Sequence, residues 1–146
     1  MSTQDFQEIA LRVALSQAIA GKSDEYDRRA QEYASRLTGT KLDKTQVRGL
    51  ESLACTTDKV SDITDWLKLR VGRDSGRERW AKDGVGRDLF AELDGLRNDA
   101  QKIAAALSRT YSLDPDQERQ VHLRLCREFL KHLAAHFEYL QAEQKR

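Results

Sequence analysis

A chain of 146 residues with one proline and no run of alternating β-branched residues leaves helix as the only periodicity that fits it. Proline interrupts both helices and sheets, and the single one, Pro115, follows Asp114, where it opens a helix rather than breaking one. Four of the eight glycines fall between Gly72 and Gly86, so breaks elsewhere are few. The predicted fold class is all-α: one domain over residues 1–146, an elongated helical bundle of about six helices with the last one long.

Residues 4–20 form the first predicted helix. Phe6, Ile9 and Val13, with Leu11, Leu15 and Ile19 beside them, make an apolar surface too broad for a surface helix and predict a largely buried one. Ser23 is positioned to cap a second helix to about Leu37, with Tyr26, Ala30, Tyr33, Ala34 and Leu37 inward. Asp43 with Gln46 three positions later is a capping box for the third, and Leu42 with Val47 fits the hydrophobic staple. Thr56-Thr57-Asp58 interrupts that helix, and Val60, Ile63, Leu67 and Val71 give the inner face of a fourth.

Residues 72–86 read as a long exposed loop, basic and glycine-rich, around Trp80. A fifth helix is expected from about Arg87 to Thr110, where Leu89, Leu93, Leu96, Ala100, Ile103 and Leu107 recur in steps of four and three and call for a partner helix. Asp114, Pro115 and Gln117 open the sixth, which extends to about Glu143 with fraying expected over 142–146. Its two apolar rows are Leu123, Cys126, Leu130, Leu133, Phe137, Leu140 and Leu125, Phe129, His132, His136, Tyr139, which predict two packing neighbours.

Apolar residues at 39% and charged ones at 34% describe a packed interior beneath a charged exterior. Cys55 and Cys126 are too few for a disulfide framework and read as reduced core thiols. Asp5 and Glu8 stand where a signal peptide has basic residues, and no apolar stretch approaches the ~20 residues that span a bilayer. A cytoplasmic protein is expected.

No motif calls for an enzyme, a metal or a cofactor. His132 and His136 are one turn apart but lack the glutamate of a zinc hydrolase motif, and His122 lies about 15 Å away along the same helix; all three read as core-edge histidines. Neither cysteine sits in a glycine-bounded nucleophile turn. Gly84-Val85-Gly86 lacks the remaining elements of a phosphate loop and reads as a flexible lead-in to a helix.

The net charge of +1 conceals local excesses of +3 over residues 70–87 and over 119–146. Arg70, Arg73, Arg77, Arg79, Lys82 and Arg87 surround Trp80, a combination in which guanidinium forks suit phosphate oxygens and an indole suits a base. Arg124, Arg127 and Lys131 make a second basic stripe on the last helix. Should the two share a face, they form one positive track along which a single-stranded nucleic acid could run, without sequence readout. Residues 44–71 also permit a helix-turn-helix DNA-binding reading, which Asp58, Asp62 and Asp65 oppose by repelling phosphate. A helical protein–protein adaptor, using the fifth helix or the aromatic row of the sixth, is the alternative without nucleic acid.

The segment Lys41-Leu42-Asp43-Lys44-Thr45-Gln46-Val47-Arg48 resembles the Thr/Ser-Gln-aliphatic-Arg helix start of the small helical subunits of type III CRISPR effector complexes. The aromatic-rich stretch Phe129 to Leu140 is similar to the last helix of that group, and the matching stretches cover about twenty residues; the glycine-rich segment around Trp80 lies outside the pattern. The resemblance implies a non-catalytic structural subunit of an RNA-guided ribonucleoprotein that associates with copies of itself and with other subunits of the complex, and contacts guide or target RNA. Thr45, Gln46 and Arg48 are the matching positions, and Lys44 adjoins them. The full set expected at RNA is Lys44, Arg48, Arg70, Arg73, Arg77, Arg79, Trp80, Lys82, Arg124, Arg127 and Lys131.

Overall fold

The structure, a computed structural model, describes residues 2–145 as six helices: α1 (Thr3–Ala20), α2 (Ser23–Thr38), α3 (Lys44–Thr56), α4 (Val60–Arg73), α5 (Val85–Leu107) and α6 (Pro115–Gln144). One 3₁₀ turn, Lys82–Gly84, precedes α5, and no strand occurs among the described residues. Capping boxes start three of the helices, pairing Ser2 with Asp5, Asp43 with Gln46 and Asp114 with Gln117. Each box satisfies two helix-end N–H groups reciprocally.

Helix α2 starts differently from expectation. Lys22 occupies the cap position with no side-chain bond, and Ser23 is the first helical residue. Its hydroxyl turns toward α6, donating to Glu128 at 2.9 Å and lying 2.8 Å from His132 Nε2. At the far end of the chain α6 stays helical to Gln144, past the point where fraying was expected; Arg146 lies outside the described residues.

Helix α6 is the spine of an elongated bundle. Its 30 residues run about 45 Å at 1.5 Å per residue, and it packs against α2, α3 and α5, with α1 and α4 touching it less. It thus has more neighbours than its two apolar rows predicted. Leu123, Leu125, Cys126, Phe129, Leu130, Leu133 and Phe137 are buried, while Tyr139 at the end of the second row is exposed. Phe129 meets Tyr26 and Tyr33 of α2 edge to face at 5.9 and 6.0 Å. Burial of each such side chain is worth about 1.5–3 kcal/mol. The α5 stripe Leu89, Leu93, Leu96, Ala100 and Ile103 is buried against α4 and α6.

Helix α1 is not the buried helix its sequence predicts. Leu11 and Ile19 are its only buried residues, and Phe6, Ile9 and Val13 are 61%, 46% and 51% exposed. The helix lies at the margin, against α5 and α6. At 100° per residue, Phe6, Ile9 and Val13 fall on the side opposite Leu11 and Leu15, so one layer of neighbours cannot cover both.

The cysteines also divide. Cys126 is buried, its thiol pushed up to about 12 by desolvation, whereas Cys55 is exposed and is not the core thiol expected.

Candidate nucleic-acid interface

The segment read as a loose loop is short and fixed. Helix α4 continues through Gly72 to Arg73, leaving Arg70 and Arg73 in its last turn, where cations complement the helix dipole. The chain then folds around Asp74. Its carboxylate accepts the N–H groups of Arg79 and Ala81, both at 2.9 Å, and its carbonyl accepts that of Arg77 at 3.1 Å. Desolvation raises the Asp74 carboxyl, but those N–H groups outweigh it and hold the acid below its ordinary range. Arg77 takes a left-handed φ of 53°, uncommon for a non-glycine residue. The turn is tied to the α2–α3 connection by the Lys41 N–H, which donates to the Glu78 carbonyl at 2.8 Å, and by a Lys41–Glu78 ion pair at 2.7 Å.

Trp80 anchors this turn to the core and is not available to stack on a base. It is 3% exposed and meets Trp66 of α4 edge-on at 5.5 Å. Its carbonyl accepts the Gly86 N–H at 2.8 Å. A Cβ on Gly86 would lie 2.5 Å from that carbonyl oxygen and from Val71 Cγ2, so glycine is required by close approach. Gly84 caps α5 in the left-handed region at φ 74°. The two glycines therefore set a geometry rather than confer flexibility.

Fixing the turn builds a cleft of about 410 Å³ between the first turn of α3, the end of α4 and the turn itself. Thr45, Gln46, the half-buried Trp66 and the exposed Arg70, Arg73 and Arg79 are among the residues that line it. The Arg70 guanidinium lies 4.7 Å over the half-buried Trp66 ring, a cation–π contact that orients it. Ion pairs near this end join Lys41 to Glu78 and Asp88 to Arg36 and Arg87. None among the described residues involves Arg70, Arg73, Arg77 or Arg79. The cleft's one carboxylate, Asp74, is engaged by backbone donors.

The remaining predicted residues lie outside the cleft, and most of them are engaged elsewhere. Arg48 pairs with Glu138 of α6, which raises the arginine and lowers the acid. Lys44 is exposed at the start of α3, and Lys82 donates to the Gly39 carbonyl at 2.7 Å. Arg124 reaches Ser16 of α1 at 3.2 Å, and Lys131 pairs with Glu128 at 2.7 Å. Arg127 donates to the carbonyls of Ala54 and Thr57 at 2.7 and 2.9 Å and so closes the C-terminal end of α3. The cleft is at the other end of α3, roughly 15 Å away along its axis. The α6 stripe therefore joins helices together, while the α4–turn arginines line a cleft of their own.

The histidines sit in or at the edge of the core, as their sequence setting suggested. His122 is buried against the Leu93 carbonyl at 2.9 Å and lowered by desolvation. His132 Nδ1 and His136 Nε2 both meet Asp27 Oδ1 of α2, at 3.1 and 2.7 Å. Asp27 lies more than a hundred residues upstream of them, and no local pattern announced the cluster. Trp66 was likewise missed, although Trp66, Arg70 and Arg73 at steps of four and three already placed them on one face of a helix.

Among the described residues no helix is long and apolar enough to cross a membrane. Compared with protein-family models, with curated proteins and with solved structures, the chain finds no match in any of the three.

Proposed function

We propose that this chain is a non-catalytic RNA-binding structural subunit of a type III CRISPR ribonucleoprotein, in which the α3–α4 cleft holds the backbone of guide or target RNA without reading its sequence. The observation that carries the reading is the convergence of Arg70, Arg73 and Arg79 on one cleft, with no ion pair to any of them among the described residues. Guanidinium forks match phosphate oxygens, and these arginines are exposed and open to an external anion. Thr45 and Gln46, two of the three positions that carry the resemblance, line the same cleft. The third, Arg48, supports the fold through Glu138. Association with copies of itself and with other subunits belongs to this proposal.

Binding to single-stranded RNA across a salt series tests it. Three phosphate contacts give a slope of about −2 in log K against log salt, from ~0.7 per contact on single strands. An Arg70→Gln/Arg73→Gln/Arg79→Gln variant flattens that slope, whereas Arg124→Gln leaves it unchanged. No salt-dependent binding by the folded wild type overturns the reading.

A protein-only adaptor is the second reading, favoured by one observation: Phe6, Ile9 and Val13 form an exposed apolar stripe on α1. The surfaces first considered for it are largely unavailable, because the α5 stripe and Phe129 are buried. Purification from the native host as a nuclease-insensitive protein pair without RNA would favour this reading.

A further inference from the structure

We propose that the α3–α4 cleft is a site for a phosphate monoester dianion, the end group of a 5′-phosphorylated strand or of a free nucleotide, and not merely for the singly charged diesters of a strand's interior. The inference rests on the RNA-binding reading of the same cleft and goes further by naming the group it selects.

Charge matching is the first ground. Arg70, Arg73 and Arg79 line the cleft against the single carboxylate of Asp74, an excess of two positive charges in one concavity. A phosphodiester carries one negative charge, while a monoester carries about −1.5 to −2 at neutral pH, with a second pKa near 6. A monoester matches that excess more closely than a single diester does.

Shape is the second. A volume of about 410 Å³ suits one small ligand, within the roughly 300–1,000 Å³ typical of small-molecule pockets, better than a passing strand. Arg127 adds little to the site from the α6 side, because its guanidinium is already held by the carbonyls of Ala54 and Thr57.

Rigidity is the third. The Arg70 head is oriented by Trp66, and the Asp74 carboxylate holds the Arg79 backbone and attracts its guanidinium, which positions two of the three arginines at the cleft. A site whose donors are positioned before binding loses less entropy on capture and discriminates more sharply between charge states.

The test compares two RNAs of one sequence, with a 5′-phosphate and with a 5′-hydroxyl, by fluorescence anisotropy on the full chain, with AMP as competitor. The 5′-phosphate RNA is expected to bind about tenfold tighter, the worth of one added charge-assisted hydrogen bond. That preference disappears in Arg73→Gln and Arg79→Gln, and it shrinks as the pH falls below about 6 and the monoester loses its second charge, with circular dichroism confirming that each sample is folded. AMP competing as well as the phosphorylated RNA assigns the site to free nucleotides; AMP competing weakly assigns it to strand ends. Equal binding of the two RNAs overturns the monoester inference and leaves backbone binding standing. No binding of either RNA, or of AMP, overturns both.

Discussion

The two basic segments are alike in sequence and opposite in use. Each carries an excess of three positive charges, and each sets arginines at helical spacings beside apolar residues. On α6 the guanidinium of Arg127 closes the end of α3, Arg124 reaches α1 and Lys131 answers Glu128. At the α4–turn junction Arg70, Arg73 and Arg79 make no ion pair among the described residues and open on a shared cleft. The difference comes from position. A basic residue in the middle of a helix that touches every other helix finds backbone acceptors within reach, whereas one at the last turn of a peripheral helix does not. Local charge counts tell where a polyanion could bind only after the internal acceptors have been assigned.

That contrast can be broken at Trp80. If the indole were a ligand-stacking group, Trp80→Ala would weaken RNA binding with little effect on stability. Its burial against Trp66 predicts instead a loss of about 3–5 kcal/mol in unfolding free energy, the usual cost of truncating a core aromatic, measured by urea denaturation.

A paired substitution sharpens the comparison. Arg127→Ala leaves the carbonyls of Ala54 and Thr57 without their donor and is expected to cost about 1–3 kcal/mol. Arg73→Gln, at an exposed position, is expected to stay within about 0.5 kcal/mol of wild type. Equal effects from the two would erase the distinction drawn between the segments.

The smallest effect is a pH dependence belonging to the spine alone. Desolvation lowers His122 from its ordinary 6.5, opposed by the Leu93 carbonyl and Asp94 and aided by Arg97. As pH falls through 6.5 the unfolded chain takes up that proton before the folded one does, so acid shifts the balance toward unfolding. Stability should therefore decline from 6.5 downward, above the range where carboxylates titrate. His122→Gln should flatten that part of the profile in pH-dependent denaturation, and an unchanged profile would show that the buried imidazole is not the source.

Elements defined by local chemistry were legible in the sequence. Asp43 with Gln46 and Asp114-Pro115 with Gln117 fixed the starts of α3 and α6, and the stripe from Leu89 to Ile103 marked the buried face of α5. The box of Ser2 with Asp5 that starts α1 went unread. What periodicity could not supply was position in the bundle. Phe6, Ile9 and Val13 are as apolar as Leu11 and Ile19, and only the marginal placement of α1 leaves them uncovered. Trp80 sat among glycines and arginines, a composition typical of exposed loops, yet Gly84 and Gly86 are what allow the chain to bring that indole inward. In the cleft itself the arginines at 70, 73 and 79 were named from sequence, while Trp66, beneath one of them, was not. Arg127 was misread because its acceptors, Ala54 and Thr57, are some seventy residues upstream.

The arrangement of α6 bears on how the chain is made. The aromatic residues Tyr26 and Tyr33 wait for Phe129, and Ser23 and Asp27 for Glu128, His132 and His136, all of which leave the ribosome about a hundred residues later. At ~5–20 residues per second that interval lasts on the order of 5–20 seconds, with the inner faces of the earlier helices unmatched throughout. Packing of those faces is in effect deferred until α6 has been made, and before that point the nascent chain leaves apolar surface uncovered, the condition that favours aggregation.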